Sequence, residues 1–117
     1  MQLEYLHSKI HMAVVTETDL NYEGSLTLDP DLMEAAWMRP FQKVLVSNCS
    51  NTNRFETYLI EGRRGTGEVC LNGPTAHLGS VNDRIVVMTF CLLSKDEAAQ
   101  HVVRVITVGE RNVPVVL

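Results

Sequence analysis

A chain of 117 residues, 45% of them apolar, carries enough nonpolar side chain for one core and too little length for a second, so residues 1–117 are expected to form a single domain. A formal net charge of -4 excludes the basic stripe that phosphate-backbone binding needs, and nucleic acid is not an expected partner. The longest apolar run, Ile85 to Leu93 with Thr89 inside it, is too short to span a bilayer, and the N-terminus has neither the basic nor the clean apolar region of a signal peptide, so a cytoplasmic protein with no membrane partner is expected.

Along the chain, His7, Lys9 and His11 are two apart and would share one face of a strand. They could begin a metal pair or turn Lys9 toward a substrate, but the bland reading is the polar face of an edge strand. The three cysteines, Cys49, Cys70 and Cys91, are scattered and suit reduced packing thiols, and no Cys or acidic partner stands at a telling spacing, so no metal is expected. Asn21-Tyr-Glu-Gly-Ser25-Leu-Thr27 holds a Gly-Ser pair that is either a plain turn or a serine placed against the unhindered carbonyl of Gly24. Asp29 as N-cap and Pro30 at the first helical position predict a helix through Trp37, stopped at Arg39-Pro40.

Strand-type runs follow at 43–47, 55–60, 68–71, 84–93, 102–108 and 113–117, which predicts a sandwich or a closed barrel. In Arg54-Phe-Glu-Thr-Tyr58 the alternation puts Arg54, Glu56 and Tyr58 on one face. Arg54 could grip a carboxylate and Tyr58 donate a proton; equally, Arg54 and Glu56 could be a solvated pair. Gly62-Arg-Arg-Gly65-Thr-Gly67 lacks the Lys-Ser/Thr ending of a phosphate loop and reads as a hairpin turn. Leu71-Asn-Gly73-Pro74 reads as a turn that would also present an amide and loop N–H groups. Ser94-Lys-Asp-Glu97 matches a capping box and predicts a second short helix. Beyond Gln100 no motif stands out, and barrel closure or a subunit contact is the expected role.

Taken in order and spacing, Ser8-Lys9-Ile10-His11, Leu20-Asn-Tyr-Glu-Gly-Ser25, Arg54-Phe-Glu-Thr-Tyr58 and Leu71-Asn-Gly73 resemble the pyruvoyl-dependent aspartate 1-decarboxylases over essentially the whole chain. The resemblance implies a mainly β fold, a double-psi β-barrel with one or two short helices, assembled as a homotetramer with active sites between neighbouring subunits. It implies decarboxylation of L-aspartate to β-alanine and carbon dioxide for pantothenate synthesis. It also implies autocatalytic cleavage between Gly24 and Ser25, giving a β fragment 1–24 and an α fragment 25–117. The cofactor would be a covalent pyruvoyl group derived from Ser25, with neither pyridoxal phosphate nor metal, whose ketone forms a Schiff base with the substrate amine.

By the same resemblance, Gly24, Ser25, Thr57 and Asn72 serve self-processing, and Ser25 and Tyr58 are catalytic. Lys9, Arg54, Thr57, Asn72, Gly73, Pro74 and Thr75 bind substrate. Where the family most often continues with alanines after Asn72-Gly73, this chain has Pro74-Thr75-Ala76, which removes a backbone N–H, stiffens the loop and adds a hydroxyl. That departure leaves open a different small acidic amino acid as substrate. A barrel that no longer cuts itself and serves as a binding module is the alternative from another class, and a maturation factor is a conceivable partner.

Overall fold

In the computed structural model, which describes residues 1–117, short apolar runs separated by turn residues become nine strands and two short α-helices. In chain order these are β1 (Gln2–Val14), β2 (Glu17–Asp19), β3 (Ser25–Leu28), α1 (Pro30–Ala35), β4 (Lys43–Asn48), β5 (Arg54–Glu61), β6 (Val69–Asn72), a 3-10 helix (Gly73–Leu78), β7 (Arg84–Ser94), α2 (Lys95–Ala99), β8 (Arg104–Val108) and β9 (Pro114–Val116). The strands pair in the order β2-β6-β3-β5-β4-β7-β1-β8-β9. Leu71 of β6 and Ile106 of β8, near opposite ends of that order, nevertheless belong to one cluster of 17 buried residues. The sheet therefore wraps around a single core, with its two end strands unpaired to each other. The fold is mainly β, as expected, and is consistent with a double-psi β-barrel.

Period-two alternation drives the burial. Val44 and Val46 of β4, and Ile85 and Val87 of β7, point inward while their neighbours face out. Strand β3 departs from this pattern: all four of its residues are buried, Leu26 and Leu28 in the core and Ser25 and Thr27 on the other face, bonded to Asn72. Only four residues long and beginning at the serine of the Gly-Ser pair, it is not among the strands expected from the sequence.

The same arrangement corrects the expected hairpin at Gly62–Gly67. Strands β5 and β6 do not pair; β3 separates them, and the connection crosses over its end. The loop is held instead by Asp29, whose carboxylate accepts from the backbone N–H of Asp31 (2.8 Å), Gly65 (3.1 Å) and Gly67 (2.8 Å). Asp29 is thus both the expected N-cap of α1 and the loop's anchor. Arg64 then reaches Asp31 and Glu34 of α1, each at 2.7 Å.

Ser8 and Ile10 turn into the core, which leaves His7, Lys9 and His11 on the outer face as expected, with a bulge between Leu6 and Ser8 shifting the register with β7 at His7. At the far end, Asn112 accepts from the Val14 N–H (2.9 Å) and donates to the carbonyls of Val14 and Gly67 (both 2.8 Å). That ties the C-terminal segment to β1 and to the loop before β6. The capping box at Ser94 and Glu97 forms as the sequence predicts. No helix is long and apolar enough to cross a membrane.

Candidate active site

Antiparallel pairing of β3 with β6 sets Ser25 directly opposite Asn72. Ser25 is fully buried, and a buried hydroxyl must find partners. Its Oγ donates to the Glu23 carbonyl (3.0 Å) and accepts from the Asn72 Nδ2 (3.0 Å). The second N–H of Asn72 goes to the Thr27 Oγ1 (2.7 Å), and its Oδ1 accepts from the Cys70 thiol (3.1 Å). Thr75 donates to the Asn72 carbonyl (2.7 Å) and lies 3.4 Å from the carbonyl of Ser25. Burial above all, and then the nearby carboxylates of Glu17, Glu68 and Asp19, push the Cys70 thiol up to about 11. It is therefore protonated at neutral pH and keeps the S–H that orients Asn72.

The backbone on either side of the Gly24–Ser25 bond is packed against the loop that follows β6. Gly73 has φ +61, and a Cβ there would come within 2.8 Å of the Gly24 nitrogen and the Tyr22 carbonyl. Only glycine combines that backbone conformation with so close an approach. A Cβ on Gly24 would in turn stand 3.2 Å from the Pro74 ring. Pro74 thus leaves little room for any side chain at the residue before the serine.

Ser25 opens onto a cavity of about 340 Å³ lined also by Tyr22, Glu23, Pro40, Phe41, Tyr58, Ile60 and Glu61. The Tyr58 ring stacks on Phe41 at 6.4 Å between centroids. On the other side of Asn72 is a smaller hollow with the carboxylates of Glu17, Asp19, Glu61 and Glu68, which would repel an anionic substrate. Neither space contains an Arg beside Asn72 or Ser25.

Of the residues singled out in the sequence, one chain therefore brings together Gly24, Ser25, Asn72, Gly73, Pro74 and Thr75, with Tyr58 across the cavity. It does not bring Lys9 or Arg54 to them. Arg54 is exposed at the start of β5, opposite Ser47, and Lys9 lies on β1 between Met88 and Val105. Glu56 pairs with Lys43 (2.6 Å), so the alternative of an Arg54–Glu56 pair does not hold. Thr57 lies on the neighbouring β5 without a hydrogen bond to Gly24. Two contacts escaped the sequence reading, those of Thr27 and Cys70. Each sits two residues from a recognised site residue in the same strand, and that spacing was the signal available for both.

Fold and site together define a small wrapped β domain in which a buried Gly-Ser junction is gripped by an asparagine and a glycine turn from the adjacent strand. The aspartate decarboxylase family matches residues 1–115, and the chain belongs to that family. It is 48% identical to the aspartate 1-decarboxylase of Caldicellulosiruptor saccharolyticus over 112 residues, covering 96% of this chain and 88% of that protein. The aspartate 1-decarboxylase of Thermoanaerobacter pseudethanolicus is 46% identical over 115 residues, 98% of both chains. That of Leptospira biflexa is 50% identical over 107 residues, 91% of both.

Proposed function

We propose that the chain is a cytoplasmic, pyruvoyl-dependent decarboxylase that converts L-aspartate to β-alanine for pantothenate synthesis, after cutting itself between Gly24 and Ser25. The observation that carries this reading is the Ser25 hydroxyl, buried and held by Asn72 at the end of a backbone segment pinned by Gly73 and Pro74. Family membership and the relatives' names support the substrate.

In the cut, Ser25 Oγ bonds to the Gly24 carbonyl carbon as the Gly24–Ser25 C–N bond breaks. The hydroxyl proton passes to the freed amine, leaving an ester. Loss of the Ser25 α-proton then expels Gly24 as a carboxylate, and one water converts the remaining enamine of residue 25 to a ketone with release of ammonia. Asn72 orients Oγ, and Thr57, on the strand beside β3, is the residue to hydrogen-bond the oxyanion as it develops. The residues present fit the finished group, since the Thr75 hydroxyl lies 3.4 Å from the Ser25 carbonyl, which remains as the amide carbonyl beside the new ketone.

The pyruvoyl group, once formed, supplies a carbonyl for the substrate amine and an electron sink for decarboxylation. The chain's side chains do the rest. Arg54 and Lys9 hold the substrate carboxylates, a guanidinium by two parallel bonds. Tyr58, stacked on Phe41, delivers a proton to the carbon that lost carbon dioxide. Because Arg54 and Lys9 stand away from Ser25 in one chain, a neighbouring subunit of a homotetramer brings them to the cavity.

Intact-protein mass spectrometry tests this reading. Two fragments divided at Gly24, with the larger gaining the mass of a reduced aspartate adduct after borohydride, are expected. A chain that stays whole on ageing and in lysate of its source defeats it. Ser25→Ala is expected to remain folded, uncut and inactive, and measurable β-alanine from that variant would remove Ser25 from the mechanism.

A further inference from the structure

The sequence offered two histidines on β1 and no partner for them; the fold supplies partners. A bulge interrupts the β1–β7 ladder at His7, and on the other strand of that ladder Cys91 stands opposite Tyr5. Just after α2 the chain returns to this place, and the donor atoms of His7, Cys91 and His101 all lie within 4.8 Å of one another. All three residues are half-buried. The His7 and His101 rings are near parallel, 6.1 Å between centroids and 22° apart.

We propose that His7, Cys91 and His101 form a binding site for one zinc ion, separate from the Ser25 site. Two imidazoles and a thiolate are a zinc donor set, with a fourth position open to water. The His101 Nε2 is 2.8 Å from the Leu6 carbonyl, which can only accept. Nε2 must therefore carry the hydrogen, and Nδ1 presents its lone pair. A ring nitrogen tied to a backbone carbonyl is what orients the opposite nitrogen of metal-bound histidines. Tetrahedral zinc at its usual bond lengths sets donors about 3.3–3.6 Å apart, so the three must close by roughly an ångström, which side-chain rotation about Cα–Cβ provides. Trp37, its ring 6.5 Å from His7, flanks the group and carries the guanidinium of Arg104 on its ring, 4.8 Å from the centroid. The ion would pin the segment entering β8 to the β1–β7 pair. It would add stability that depends on zinc concentration.

The test uses the full chain, stripped with a chelator and titrated with zinc against a chromophoric competitor, then with cobalt. The expected result is one equivalent of zinc, a thiolate-to-cobalt charge-transfer band, a raised Tm, and zinc protection of Cys91 but not exposed Cys49 from iodoacetamide. Losing only a group that hydrogen-bonds to a zinc ligand weakens binding by about 10–100-fold, so removing a ligand itself, by Cys91→Ser or His101→Ala, should weaken it by at least about 100-fold. Both should still cut at Gly24, and zinc should raise the Tm of neither. Absence of stoichiometric binding overturns the proposal. So does binding that survives in both variants, which would put the ion elsewhere, for example among Glu17, Asp19, Glu61 and Glu68.

Discussion

A carboxamide offers two N–H donors and one oxygen, and at Asn72 all are committed: to Ser25, to Thr27 and from Cys70. The thiol decides which way round the amide sits. Cys70→Val should leave the amide oxygen without its donor, costing about 1–3 kcal/mol. Self-cleavage should then slow about tenfold or more, while Cys70→Ser, with a hydroxyl in place, cuts much faster than the valine variant. Timed mass spectra of freshly made protein measure both, and a valine variant that cuts at the parent rate would show the thiol to be packing alone. Since the folded thiol is raised from 9.0 to about 11, its contribution is complete below pH 9 and fades as pH rises toward 11. Gly73→Ala sets a side chain against Gly24 in a left-handed conformation that costs about 1–2 kcal/mol by itself, and should block the cut while Tm falls. Ser25, Asn72 and Gly73 were legible from their motifs, whereas Thr27 and Cys70 became visible only once the faces of β3 and β6 were known.

The elements show where pattern reading succeeds and where it stops. Strand β7 announces itself as a near-continuous apolar run; β3, though its four residues alternate polar and apolar, is short and begins at the serine of the Gly-Ser pair, and it does not stand out. A glycine-rich link between two strand-like runs looks the same whether the strands pair or cross over a third, so the crossover at Gly62–Gly67 was hidden. Asp29 stabilises that crossover. Burial raises its carboxyl, but the N–H groups of Asp31, Gly67 and Gly65, with Arg64 nearby, outweigh this and hold it below its ordinary 3.8. A lowered folded value means that its stabilisation is present above about pH 4 and is lost as pH falls through the folded value. Asp29→Ala, losing a cap and two loop bonds, should cost about 2–4 kcal/mol in urea unfolding at pH 7. The gap between parent and variant should narrow near pH 3; a gap constant with pH would mean that the carboxylate's charge contributes nothing.

At the scale of the molecule, the single chain keeps Lys9 and Arg54 apart from Ser25 and carries an apolar exterior. Phe90 and Leu92, exposed two residues apart on β7, and Val115, Val116 and Leu117 at the C-terminus are surfaces a monomer would not favour. Neither Lys9 nor Arg54 lines the Ser25 cavity, and a dicarboxylate cannot be held there without cations. If a neighbour supplies them, two defective chains should repair each other. Arg54→Ala keeps Ser25 and can cut itself; Ser25→Ala stays uncut but keeps Arg54. Co-expressed in equal amounts and assembled at random, they place an intact Ser25 beside an intact Arg54 at about one interface in four, so about a quarter of parental kcat per site is expected from two chains that are each nearly inactive alone. If Ser25 and Arg54 act within one chain, every site in the mixture carries a defect and the activity stays at the level of the separate variants.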